Sequence, residues 1–278
     1  LPTADGSANQ ALITNGSATL SFAATTLPRS YLAGLKLANG TDATNDIDIA
    51  VGQAVDDGNV VAMSLAAATT KQTDAAWVVG TNQGCLDTGA VGNNTYHFWL
   101  IRRTDTGVVD VLCSLSATAP TMPTSYSQKR RIGSIVRSGG TILAFTQDGN
   151  YFVWTVATLD SNQTDPGASA VTVTLTVPTG INVQAVMNVQ LQRGGVSATV
   201  IALLTDLAMT DVAPVTLTAT QGQLMQMSDG STTKGQSGQV TIRTNTSAQI
   251  RSRLSLSEAS TRLTIATQGW YDTRGRND

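Results

Sequence analysis

"TYHFWLIRRTDTGVVDVLCSL", residues 95–115, decides the fold. Two apolar runs, "TYHFWLIRR" and "VVDVLCSL", flank Asp105-Thr106-Gly107. A short polar loop with glycine where the backbone turns left-handed joins antiparallel neighbours. Side chains alternate between the faces of a strand, so His97 shares one face with Thr95, Trp99 and Ile101. Tyr96, Phe98 and Leu100 share the other. Both faces are largely apolar, so the first strand is predicted to lie at the centre of a sheet, covered on both sides.

This stretch also gathers reactive side chains. His97 is the only histidine of the chain. A Ser–His–Asp triad needs a histidine base beside its nucleophile, and no G-x-S-x-G elbow occurs. A mid-strand histidine is therefore expected to be buried and hydrogen-bonded rather than catalytic. The chain has only two cysteines, Cys85 and Cys113. They are too few for a disulfide framework or a four-cysteine zinc site. Cys113 follows an apolar alternation and is expected as a buried free thiol.

The pattern continues outward. "DIDIAVGQAV", "NVVAMSLAA", "RIGSIVRS", "TILAFTQ" and "NYFVWTV" are short strands separated by Asn39-Gly40, Asp57-Gly58, Gly139-Gly140 and Asp148-Gly149. Residues 159–169, "LDSNQTDPGAS", hold no apolar run and carry Pro166-Gly167. Beyond them "AVTVTLTVP" alternates strictly, with Val171, Val173, Leu175 and Val177 on one face. Regular spacing of strands and turns predicts an all-β, antiparallel, jelly-roll-like sandwich architecture. One helical turn is expected around "SEAST". The expected divisions are 1–26, an N-terminal segment, 27–163, a β-sandwich, and 164–278, a second β-sandwich. The first is too short for a core, and its strand "ATLSF" needs an outside partner. The chain begins at Leu1, which suggests a piece of a longer protein.

Composition agrees. Charged residues make up 13% and hydrophobic residues 41% of 278, and glutamate occurs once, at Glu258. Helical proteins rarely lack Glu so nearly, whereas Thr and Val favour strands. A formal charge of −2 gives no basic footprint for nucleic acid. Lys129-Arg130-Arg131 reads as a solvated strand start. No apolar run reaches the ~20 residues of a membrane span, so no membrane insertion is expected.

Asp46 and Asp48 lie on one face of a strand, roughly 7 Å apart. That spacing would suit paired carboxylates or a calcium site, but the solvent face of an edge strand is the favoured reading. No phosphate-binding glycine loop, zinc spacing or cofactor motif occurs, and no enzyme, metal or cofactor is expected. Trp99 and Trp154 lie in apolar strands and belong in the core. Trp77, Trp270 and Tyr271 stand beside polar segments. They are the candidate residues for gripping a glycan, whose C–H faces stack on aromatic rings.

"LPTADGSANQALITNGSATLSFA" resembles the linker that recurs in tailed-bacteriophage fibres and tailspikes. Ala4-Asp5-Gly6, Gln10, Leu12, Thr14-Asn15-Gly16 and Leu20-Ser21-Phe22 keep its pattern, while Asn9 and Ala18 stand where it usually has glycine. "NGTDATNDIDIA", "WLIRRTDTGVVDVLCSLSATAPTMPTSYSQKRRIGSI" and "GWYDTRGRND" are similar to a family of phage and prophage proteins from tail-gene neighbourhoods. The resemblance implies a virion protein, a distal tail fibre or receptor-binding appendage. It further implies a homotrimer joined through residues 1–26, other tail proteins as partners, and a host surface glycan or protein as receptor. A structural adaptor, head fibre or decoration protein is the alternative, and a polysaccharide depolymerase the less favoured one.

Overall fold

β10 (Thr95–Arg103) and β11 (Val109–Ser114) form the expected antiparallel hairpin, with His97 opposite Ser114 and Arg102 opposite Val109. Gly107 makes the turn at φ +77°, a conformation that costs a residue without Cβ nothing. Thr95 through Ile101 are all buried. In the computed structural model the described residues are 10–14, 16–17, 19–24, 27–194, 199–215, 223–228 and 233–276. Ala4-Asp5-Gly6, Asn9, Asn15 and Ala18 of the fibre-like linker lie outside them.

Among the described residues there are strands and no helix. "SEAST" is a turn closed by the Thr261 N–H on the Glu258 carbonyl. Before β10 come β1 (Gln10–Thr14), β2 (Leu20–Ala24), β3 (Leu32–Gly34), β4 (Leu37–Asn39) and β5 (Asp46–Ile49). There follow β6 (Gly52–Val55), β7 (Ala62–Leu65), β8 (Thr69–Ala76) and β9 (Gln83–Leu86). After β11 come β12 (Tyr126–Ser138), β13 (Thr141–Ile142), β14 (Phe145–Asp148), β15 (Tyr151–Thr164) and β16 (Val171–Thr174). The last are β17 (Gln184–Arg193), β18 (Thr199–Thr205), β19 (Gln223–Ser228), β20 (Lys234–Arg243), β21 (Gln249–Leu254) and β22 (Thr261–Tyr271).

An eight-stranded sheet has the order β13-β12-β10-β11-β9-β8-β5-β4. Its β9 runs parallel to both neighbours, so this sheet is mixed rather than purely antiparallel. The three-stranded sheet β3-β6-β7 packs on it through β7, which meets β10 and β11. A five-stranded sheet, β14-β15-β22-β17-β20, faces the four-stranded sheet β16-β21-β18-β19. Val173, Leu175 and Val177 are buried, as the alternation requires. Among the described residues β1 and β2 pair only with each other, as a separate two-stranded sheet.

The division expected at 163/164 does not separate two cores. β15 runs unbroken to Thr164 and pairs along that stretch with β22. One hydrophobic cluster extends from Leu32 to Trp270. The C-terminal residues reach back across it. Asp272 accepts two bonds from Arg131, at 2.7 and 2.8 Å. Arg274 donates to the carbonyls of Ile132, Gly34 and Leu35, and Arg276 to that of Leu32.

Three further expectations are corrected. Cys85 and Cys113 are both fully buried and form a disulfide, because β9 lies beside β11 and brings their Cα atoms to 5.0 Å. Arg130 and Arg131 are buried, not solvated, and their cations find internal acceptors, Arg130 in the Arg29 carbonyl and Arg131 in Asp272. Asp48 does face solvent, but β5 is not an edge: β4 and β8 pair with it on either side.

Candidate functional site

The structure separates the three aromatic candidates. Trp270 is fully buried, stacked on Phe152 at 4.9 Å and tilted against Trp154 at 4.6 Å. It is a core residue and cannot grip a ligand. Tyr271, the next residue, is 46% exposed and stacks on Tyr151 at 4.4 Å. Trp77 is half-buried on the other large sheet, edge-on to Tyr126 at 5.1 Å. Tyr271 and Trp77 therefore belong to different sheets and do not form one platform.

Trp77 closes over an ion pair. Its indole N–H donates to the Val111 carbonyl at 3.1 Å, and its ring lies 5.7 Å from Lys71 Nζ. Lys71 bonds Asp110 at 2.8 Å and the Val78 carbonyl at 2.9 Å. Burial lowers the Lys71 pKa, against the attraction of Asp110. Burial raises the Asp110 pKa, against the attraction of Lys71.

His97 is 1% exposed. Its Nδ1 lies 2.8 Å from Ser134 Oγ, which also accepts from Arg131 at 3.3 Å. Nε2 has no hydrogen-bond partner among the described residues and faces the Thr179–Gly180 backbone, where a Cβ at 180 would sit 3.0 Å away. Burial and the Arg131 charge push the His97 pKa down to about 4, offset in part by Asp272 and the Thr179 backbone. The pairing of serine and histidine matches a nucleophile and base only in residue type. Ser134 is fully buried, so no acyl group reaches it.

A groove of ≈ 490 Å³ lies among Ala68, Val79, Gly80, Val108 and Asp110, and two more stand open. One, of ≈ 260 Å³, lies among Arg29, Asp57, Trp99, Lys129 and Arg131. Lys129 sits over the Trp99 ring at 4.8 Å while bonding Asp57 at 2.8 Å, so protein groups already occupy that ring face and that cation. The other, of ≈ 430 Å³, lies on the outer face of the five-stranded sheet. Directly opposed residues in an antiparallel pair point to the same side. Asn188 lies opposite Gln239 and Ala266, and Gln190 opposite Ser237 and Thr264. Asn162 continues the second row from β15. These outward rows alternate with buried Val189, Leu191, Leu263 and Ile265. The result is a face of amides and hydroxyls, with Gly238, Ser237 and Ala266 leaving the furrow. Each amide offers two donors and an acceptor, and Gln239 already bonds Gln268 at 2.5 Å. Such a face suits a neutral, hydroxyl-rich ligand.

Sequence reasoning missed this face because its residues are scattered over four strands, β15, β17, β20 and β22. The only local signal was the alternation of Gln and Asn with apolar residues in "VQAVMNVQLQ". Among the described residues no group of three or more His, Cys, Asp or Glu comes together to hold a metal. No protein-family model matches the chain, and no curated protein matches it. The likeness to phage fibres therefore stands on the residues quoted for it.

Proposed function

We propose that the protein is a homotrimeric virion appendage, a distal tail fibre or receptor-binding protein that attaches a phage to its host. The observation that carries this reading is the β1–β2 hairpin. It forms its own sheet, with Leu12, Ile13 and Leu20 at 47%, 45% and 38% exposure. A lone two-stranded hairpin is marginal in water, and its apolar side chains gain most from packing on copies of themselves. Linkers of the kind it resembles wind three chains together. Three copies of the amide face would then multiply weak contacts with a surface glycan, by about 10²–10⁴ for linked sites.

Light scattering on the full chain at micromolar concentration is expected to give the mass of a trimer. Leu12→Asp with Ile13→Asp is expected to dissociate it while leaving the β spectrum intact. A monomeric wild type would defeat the reading. The trimer is also expected to adsorb to host cells, and Gln190→Glu with Gln239→Glu to weaken adsorption at least tenfold without loss of trimer. A trimer that does not adsorb at all favours the adaptor or decoration role.

A further inference from the structure

The Lys71–Asp110 pair joins β8 to β11 and has no part in the proposed attachment. Lys71 is 0% and Asp110 3% exposed. Charged side chains are almost never so deeply buried, and apolar residues of similar volume often stabilise a core as well. Three observations suggest a chemical reason for the pair. The amine nitrogen is already 2.8 Å from the carboxyl oxygen Oδ2. The Gly80 N–H also donates to Oδ2, at 3.2 Å, and would steady negative charge gathering on that oxygen during addition. Trp77 covers one side of the pair, its ring 5.7 Å from Lys71 Nζ and anchored through its bond to the carbonyl of the residue after Asp110, while Gly80 and Asp110 border an open groove.

Burial favours the uncharged form of each partner, as the directions of both pKa shifts indicate. An uncharged amine is a nucleophile, and an uncharged carboxylic acid can lose hydroxide as water. Fixed contact removes the entropy of encounter, and burial of both groups suppresses the reverse hydrolysis.

We propose that Lys71 and Asp110 condense into an intramolecular amide. The Nζ lone pair adds to Asp110 Cγ, the bond from Cγ to the hydroxyl oxygen breaks, and the proton lost by the amine leaves with that hydroxyl as water. One amine and one carboxylic acid become one amide and one water, with no redox partner. The bond closes a loop between residues 39 positions apart, which restricts the unfolded chain. With Cys85–Cys113 tying β9 to β11, the three neighbouring strands would be covalently joined.

Intact mass spectrometry of the purified full chain, with its disulfide reduced, tests this. The expected mass is one water below that of the sequence, and digestion should release a branched peptide joining Lys71 to Asp110. Lys71→Arg should restore the full mass. Asp110→Asn should lose ammonia instead and yield the same amide. A wild-type mass equal to that of the sequence overturns the proposal. So does loss of water without the branched peptide, as from cyclisation at Asp57-Gly58.

Discussion

Asp272→Ala is expected to destabilise the fold by about 3–5 kcal/mol, the usual cost of removing one partner from a buried ion pair. Both partners are buried, with side chains 3% and 1% exposed for Arg131 and Asp272. Asp272 also accepts the Arg274 N–H at 2.7 Å, so its loss frees the turn that aims Arg274 at the Ile132 and Leu35 carbonyls. A whole domain is stable by about 5–15 kcal/mol, so the variant is expected near the limit of folding. Urea unfolding, followed by tryptophan fluorescence, measures the change. Arg131→Met combined with Asp272→Ala should recover part of the loss, because the uncompensated charge is then gone. Arg276→Ala, whose half-buried side chain bonds Asn150 and the Leu32 carbonyl, should cost only about 1 kcal/mol. An Asp272→Ala midpoint equal to that of the wild type would show that the C-terminal turn does not hold the two halves together.

This clamp was not legible in the sequence, because an ion pair between residues 141 positions apart leaves no local pattern. What could be read was local: the hairpin from residues 95 to 115, the inward face of "VTVTLTV", and the turn at Gly107. Trp270 shows how a local rule fails. Counting alternately from Leu263 and Ile265 places Trp270 outside and Tyr271 inside. Thr267 pairs with Met187 and Gly269 with Val186, so Gln268 is an extra, bulged residue. The bulge reverses the faces beyond it, turning Trp270 into the core and Tyr271 out. Gly269 is required there, because a Cβ would collide with the Phe152 carbonyl. The polar stretch near 163 is a related case. "LDSNQT" looks like a linker because it is polar, yet it is the end of β15 that borders the amide face. The pairing of Cys85 with Cys113 depended on β9 running parallel to β11, which strand alternation alone does not specify.

Stability is expected to fall on acidification in two windows, the first set by the single histidine. Above pH 6.5 His97 is neutral in the folded and unfolded chain alike, and it contributes no pH dependence. Between 6.5 and about 4 the unfolded chain takes up a proton that the folded chain refuses, since burial and the Arg131 charge oppose an imidazolium there. Unfolding is then favoured progressively as pH falls, by about 3 kcal/mol over the whole window. Asp272 governs the second window. Burial alone would raise its pKa, but the Arg131 charge and bonds, the Arg274 N–H and His97 together hold it below the ordinary 3.8. Its contribution is present above that value and is lost as pH falls through the folded pKa. Urea midpoints at pH 7, 5.5, 4 and 3 should therefore decline, and His97→Gln should flatten the decline above pH 4 while leaving the loss below it. Because the chain has one histidine, its ring proton resonances in a folded sample can be followed without assignment. A folded-state titration near 6.5 would mean that the ring is open to solvent, and the first window would then have to come from another group.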